Sequence, residues 1–167
     1  KVTGVIITGG EKIDAPSVIA SVTPGQLYDR LLSGSGTETI NEKVNFRHGR
    51  GNFQIHYALD APPEWTDPKL REVALIHLSD GIDAVSKSSN EAERGMLPET
   101  PTICVGQPTA LDPTRCPTGK SILWIQIPDA PSTIKGDAAG IINGGSEWDN
   151  EITELFADRV ESLLKNH

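Results

Sequence analysis

The 167-residue sequence predicts an α+β fold: a mixed, mainly antiparallel sheet with helices packed on one face, preceded by a small β-meander. Three observations carry this. The stretch GNFQIHYALD, residues 51–60, alternates strictly, with Phe53, Ile55, Tyr57 and Leu59 on one side and Asn52, Gln54, His56 and Ala58 on the other. Near the end, Ile152, Leu155, Phe156, Val160, Leu163 and Leu164 recur at helical spacing and make one apolar stripe. At the start, two short apolar runs flank Gly9-Gly10, the signature of a hairpin. A sheet with one apolar face and a helix with one apolar stripe bury each other, which defines a layered fold.

In chain order, residues 2–7 and 12–15 pair through a glycine turn, expected to be type I′ because both glycines tolerate positive φ. SVIASV, residues 17–22, adds a third short strand. Thr23 caps a helix, Pro24 suits its first position, and Leu27, Tyr28, Leu31 and Leu32 follow its period until SGSG ends it. Residues 37–45 are expected to form a short second helix. After the alternating strand, APPEWTDP is a break and REVALIHLS, residues 71–79, a further strand. Residues 80–94 form a helix with Ile82 and Val85 inward, and Asp80 and Asp83 suit its positive N-terminus. GMLPETP is a loop. TICVGQP, residues 102–108, and SILWIQIP, residues 121–128, are strands, and residues 129–147 a Gly/Ser/Asp-rich loop. The last helix runs over 149–165, with Asp149, Glu151 and Glu154 at its start and Lys165 and His167 at its end, matching the helix dipole.

Composition narrows function. A net charge of −8 leaves no basic surplus for a nucleic-acid face. No run approaches the apolar length of a membrane-spanning helix, and no basic amphipathic helix suits an anionic bilayer. Cys104 and Cys116 form no CxxC motif and read as two free thiols in a reducing, cytoplasmic compartment. The chain is strand-like from its first residues and has no initiator Met, so we expect a segment of a longer protein.

The search for chemistry is mostly negative. PTGKS, residues 117–121, looks like the end of a phosphate loop. The pattern needs glycine where Thr114 stands and a helix afterwards, whereas Ile122, Leu123, Trp124 and Ile125 open a strand. Gly9-Gly10 leads into a charged strand, not the helix of a dinucleotide fingerprint. His48, His56, His77 and His167 have no metal-ligand spacing, and no serine stands in a nucleophile elbow. One feature survives. Polar side chains occur singly inside apolar strands at Gln54, His56, His77 and Gln126, and Trp124 lies two residues from Gln126. Such a face is either a cavity wall or a solvated sheet surface.

The order of elements resembles a segment of the phytoene desaturase-like FAD-dependent oxidoreductases, of the carotenoid desaturase and isomerase type. The opening hairpin carries that family's pattern at Gly4, Val5, Gly10, Ile13 and Ala15, followed by Val18, Ile19, Ser21 and Pro24. Phe53, Ala58, Leu59, Asp60 and Pro63 match its F-x-x-x-x-A-L-D-x-x-P strand, and Pro98 and Pro101 its P-x-x-P loop. Thr109, Asp112, Pro113, Pro117, Gly119 and Lys120 stand in register with a turn that the family places before a strand, and Trp148 precedes the long helix. The resemblance covers nearly the whole chain and lacks the family's two FAD-contacting segments.

It implies the excised substrate-side domain. Residues 1–22 would be a β-meander packing on the missing FAD-binding domain of the same chain, and residues 23–167 the substrate-binding domain. The parent would transfer hydride from an apolar or partly apolar small molecule to FAD, with room for peripheral membrane association, while this segment would hold no cofactor and no metal and carry no catalytic residue. Gln54, His56, His77, Trp124 and Gln126 become the substrate-contact candidates. Two features depart from a wall built only for a long hydrocarbon: the acidic, aromatic-poor composition and the polar strand positions. A stand-alone, non-catalytic α+β binding module is the competing reading.

Overall fold

The computed structural model describes residues 2–36, 46–143 and 145–167. Two compact units emerge, Lys1–His48 and Gly49–His167, and the sequence-predicted boundary after Val22 lies within the first. The expected helix over 37–45 lies outside the described residues.

In the first unit, β1 (Gly4–Ile6) pairs antiparallel with β2 (Lys12–Asp14) in the register Val5 to Ile13. The bend is not type I′. The Gly10 N–H donates to the Ile7 carbonyl at 3.0 Å, which centres the turn on Thr8 and Gly9. Type I′ needs positive φ at both central residues, and among the described residues only glycines have it. Residues 17–22 form no strand, so the expected meander is a two-stranded hairpin. Pro16, which cannot donate to a ladder, stands directly before this stretch, and Ile19 is 97% exposed. Thr23 does start a helix. Its hydroxyl accepts from the Gln26 N–H while the Gln26 side chain accepts from the Thr23 N–H, a reciprocal cap. Residues Gln26–Leu31 then wind as a π-helix, with the Leu32 N–H reaching the Leu27 carbonyl five residues back, and Leu31 turns outward.

The second unit is built on four antiparallel strands in the order β3-β7-β6-β4: β3 Gly51–Leu59, β4 Leu75–Leu78, β6 Ile103–Gly106 and β7 Ser121–Ala130. A short parallel pair, β5 (Met96–Leu97) with β8 (Gly136–Asp137), lies within the two stretches expected to be loops and makes the sheets mixed. The strand expected over 71–79 shortens to β4. Asp67 accepts from the Lys69 N–H and, with Pro68 behind it, turns Pro68–Glu72 into a 3₁₀ helix.

Helix α1 (Ile82–Glu93) buries its small residues, Ser88 and Ala92, while Ile82 is 79% exposed rather than inward and Val85 only half-buried. Small side chains let this helix approach β7, where the Ser88 and Ser89 hydroxyls donate to Asp129 at 2.8 and 3.1 Å. Helix α2 (Asn150–Leu164) starts where Asp149 accepts from the Ile152 N–H at 2.8 Å. Its stripe buries Ile152, Phe156 and Val160 and leaves Leu155 largely outside. Phe156 meets Phe53 and Trp148 edge-on, at ring separations of 5.1 and 5.6 Å, so the last helix seals the apolar face of β3.

One ion pair ties the parallel pair to α2. Arg159 donates to both oxygens of Asp137 at 2.7 Å and to the Pro98 carbonyl at 2.8 Å. The Ile141 and Ile142 N–H groups also donate to Asp137. Burial opposes ionisation here, but the guanidinium and the two N–H groups outweigh it and hold the Asp137 carboxyl at about 2.

Candidate functional site: an uncharged sheet face

Because side chains alternate along a strand, the register decides which residues share a face. Gln54 of β3 stands opposite Gln126 of β7, Gln126 opposite Cys104 of β6, and Cys104 opposite His77 of β4. These four form one row across the whole sheet. The next row holds His56, Trp124, Gly106 and Leu75. All five residues singled out in the sequence thus lie on one face, opposite the apolar face that packs against α2.

The row is polar and locally bonded. The Gln126 side-chain amide donates to the Asn52 carbonyl oxygen at 3.1 Å, and His77 Nε2 lies 3.8 Å from Cys104 Sγ. Burial pushes the Cys104 thiol pKa up, so the sulfur stays protonated and is a poor nucleophile. Gln54, His56 and His77 are exposed, while Trp124 and Gln126 are half-buried. The Trp124 indole lies flat against the Gly106 backbone: a Cβ at Gly106 would fall 2.0 Å from its ring.

Across both rows the ionisable groups are two imidazoles and a protonated thiol, in a chain of net charge −8. The face therefore presents amides, imidazoles, an indole and the apolar Ile122 and Leu75. It can bind a neutral surface by stacking and directional hydrogen bonds. Among the described residues no three metal-binding side chains cluster, and no helix is long and apolar enough to cross a membrane.

Two residues of this face escaped sequence reading. Cys104 was visible as the partner of Gly106 by strand parity, and Gly106 itself was a signal, since glycine inside a strand marks a close approach. PTGKS proves to be a turn. The Lys120 N–H donates to the Pro117 carbonyl at 3.0 Å and Gly119 has φ +80°, after which β7 begins at once. Asp112 accepts from the Thr114 N–H at 3.1 Å and so forms an Asx turn.

The described residues do not build a dinucleotide cradle. Gly9 and Gly10 sit in the hairpin bend. The strand-to-helix step from β4 to α1 carries Asp80 and Asp83, and α2 begins with Asp149 and Glu151; such carboxylates oppose a pyrophosphate.

No family model and no solved structure matches the chain. Among curated proteins it is 27% identical over 180 aligned residues to rat (Rattus norvegicus) pyridine nucleotide-disulfide oxidoreductase domain-containing protein 2, covering 99% of this chain and 29% of that protein. It is 25% identical over 126 residues to the zeta-carotene-forming phytoene desaturase of Myxococcus xanthus, covering 75% of this chain and 22% of that protein. The chain thus spans less than a third of the length of these relatives. At this low identity the comparisons relate it distantly to oxidoreductases, one of them a phytoene desaturase, the family its sequence resembles.

Proposed function

We propose that this chain is the substrate-side domain of an FAD-dependent oxidoreductase. Its uncharged sheet face covers a neutral, apolar or partly apolar small molecule. The observation that supports this most is the gathering of Gln54, His56, His77, Trp124 and Gln126 into two adjacent rows free of Asp, Glu, Lys and Arg. A neutral ligand has no counter-charge to offer, and a formal charge beneath it would be desolvated without compensation.

In this reading FAD, held elsewhere in the parent, is the hydride acceptor. This chain's residues bind and orient. Trp124, steadied on Gly106, supplies a flat apolar platform. Gln126, anchored by Asn52, and Gln54 beside it supply donors and acceptors along one line. The four-stranded sheet behind them is held rigid by α2 and excludes water from below.

The test is made in the full-length parent. Flavin absorbance that co-purifies with the protein, and anaerobic flavin bleaching by phytoene or shorter neutral isoprenoids, establish the class. Trp124→Ala should then leave flavin content unchanged and weaken the bleaching substrate about tenfold or more, the loss of one stacking platform with its buried area. A parent without flavin, or a Trp124→Ala variant with unaltered substrate affinity, would overturn the proposal.

A further inference from the structure

A cavity of about 610 Å³ in the second unit lies away from this face. It opens between the loop after β3 and the turn before β7. Ser121, on its floor, shares the inward parity of Leu123 and Ile125, so the cavity and the uncharged face occupy opposite sides of the sheet. Four prolines and two alanines wall it. These are rigid and apolar, so the cavity is shaped without the ligand and would bind an apolar body with little loss of conformational entropy.

Its polar groups are lopsided. Thr109 and Ser121 share a hydrogen bond of 2.9 Å, and among the described residues neither hydroxyl has another side-chain or backbone partner. Two hydroxyls own two protons and the shared bond uses one, so one donor remains at the floor, where Ser121 is only 3% exposed. Gln107, also on the floor, is fully engaged: its carbonyl oxygen accepts from Trp65 and its amide donates to the Leu70 and Val73 carbonyls. On the rim, Arg71 has no ion pair or hydrogen bond among the described residues. Among the described residues Lys120 is paired only with Asp60, itself 99% exposed, and such a pair exchanges partners at little cost. An unused hydroxyl proton below and a planar guanidinium and an ammonium above call for an acceptor with two oxygens.

We infer that this cavity is a binding site for the carboxylate of a small organic acid with an apolar body. Glu64 on the same rim has no ion pair or hydrogen bond among the described residues either. It disfavours the anion, so Glu64→Gln should tighten binding, whereas an ammonium ligand would lose affinity.

Cys116 lines the cavity, its thiol donating to the Lys120 carbonyl at 2.9 Å, and makes the site testable with two reagents that differ in charge. In either reaction the thiolate attacks the CH₂ carbon, the C–S bond forms as C–I breaks, iodide leaves and the thiol proton goes to buffer. Alkylation of the Cys116 peptide is followed by mass spectrometry, with iodoacetate and iodoacetamide in parallel and glutathione as the unstructured reference. The iodoacetate-to-iodoacetamide rate ratio should stand about tenfold above that of glutathione, the scale of one charge-assisted contact. In Arg71→Gln it should fall back toward glutathione, and Lys120→Met should lower it less. Octanoate should protect Cys116 from both reagents, and octylammonium should not. A ratio equal to that of glutathione, a ratio indifferent to Arg71→Gln in a variant whose circular dichroism is unchanged, equal protection by octylammonium, or weaker octanoate protection in Glu64→Gln would each overturn the assignment.

Discussion

Gly106→Ala probes the uncharged face without substituting any residue proposed to contact substrate from it. The glycine is the last residue of β6 and stands opposite Trp124. An added Cβ would lie 2.0, 2.3 and 2.4 Å from Cε2, Cζ2 and Nε1 of the indole. Ordinary carbon contacts lie near 3.5–4.0 Å, so the ring must retreat by more than 1 Å or swing to another rotamer. The strand cannot yield instead, because β6 is paired on both edges, to β4 and β7. Overpacking of this kind costs about 1–3 kcal/mol. Gly106 is not among the glycines with positive φ, so alanine adds no backbone strain there and the whole cost is the indole's displacement. With a urea m-value of about 2 kcal/mol/M for a domain of this size, the midpoint should fall by about 0.5–1.5 M. Trp124 emission should shift red as the ring leaves its backbone platform, read against a Trp124→Phe background that isolates the other two tryptophans. A midpoint shift under about 0.2 M with unchanged emission would show that the indole does not lie on Gly106, and the platform role of Trp124 would fall with it.

The other perturbations address the frame. Asp137 is held at about 2, below its ordinary 3.8, so it contributes about 2 kcal/mol of stability that is complete above pH 4 and is lost as the pH falls toward 2. Urea midpoints of the wild type should therefore drop more steeply between pH 4 and 2 than those of Asp137→Asn, and parallel curves would refute the pairing. Asp137→Asn at neutral pH leaves the Arg159 guanidinium, only 11% exposed, without its counter-charge and should cost about 3 kcal/mol or more by equilibrium unfolding. Gly119→Ala should cost about 1–2 kcal/mol, all of it from the backbone, since φ is +80° and nothing lies within 4 Å of the added carbon; an unchanged midpoint would refute a left-handed Gly119.

What was legible in the sequence followed period and parity. The alternation of residues 51–59 fixed both faces of β3, and the register with β7 then carried the same division to Trp124 and Gln126. The stripe of α2 was equally plain, because Ile152, Phe156 and Val160 recur at helical spacing and are all buried. Features that depend on a partner strand or on a local bond were hidden. SVIASV has strand propensity and forms no strand, for propensity does not by itself bring a pairing partner. Arg71 and Glu72 look continuous with β4 until Asp67 captures the Lys69 N–H and the chain winds as a 3₁₀ helix over Pro68–Glu72. Helix α1 misled in the opposite direction: its most apolar residue, Ile82, faces out, while Ser88 goes in because Asp129 is waiting there to accept its proton.

The same contrast explains why the candidate face could be read at all and the cavity could not. A sheet face is a consequence of parity, so one polar residue predicts the next two positions away, and hydrogen-bonded neighbours extend the pattern sideways. The cavity is assembled from segments some fifty residues apart in sequence, Ala61 to Glu64 with Arg71 on one side and Gln107 to Ser121 on the other, none of it periodic. Its floor depends on how many protons Thr109 and Ser121 have left after bonding each other, a quantity that exists only once the chain has folded. Pro117 and Gly119 shape this wall through the turn that delivers Lys120 to its rim. A turn chosen for its backbone geometry thereby sets the charge at the mouth of a pocket, which ties the stability of Gly119 to any binding there. Gly119→Ala should accordingly weaken the preference of Cys116 for iodoacetate even at temperatures where the fold is intact, because a strained turn moves Lys120 and Cys116 together.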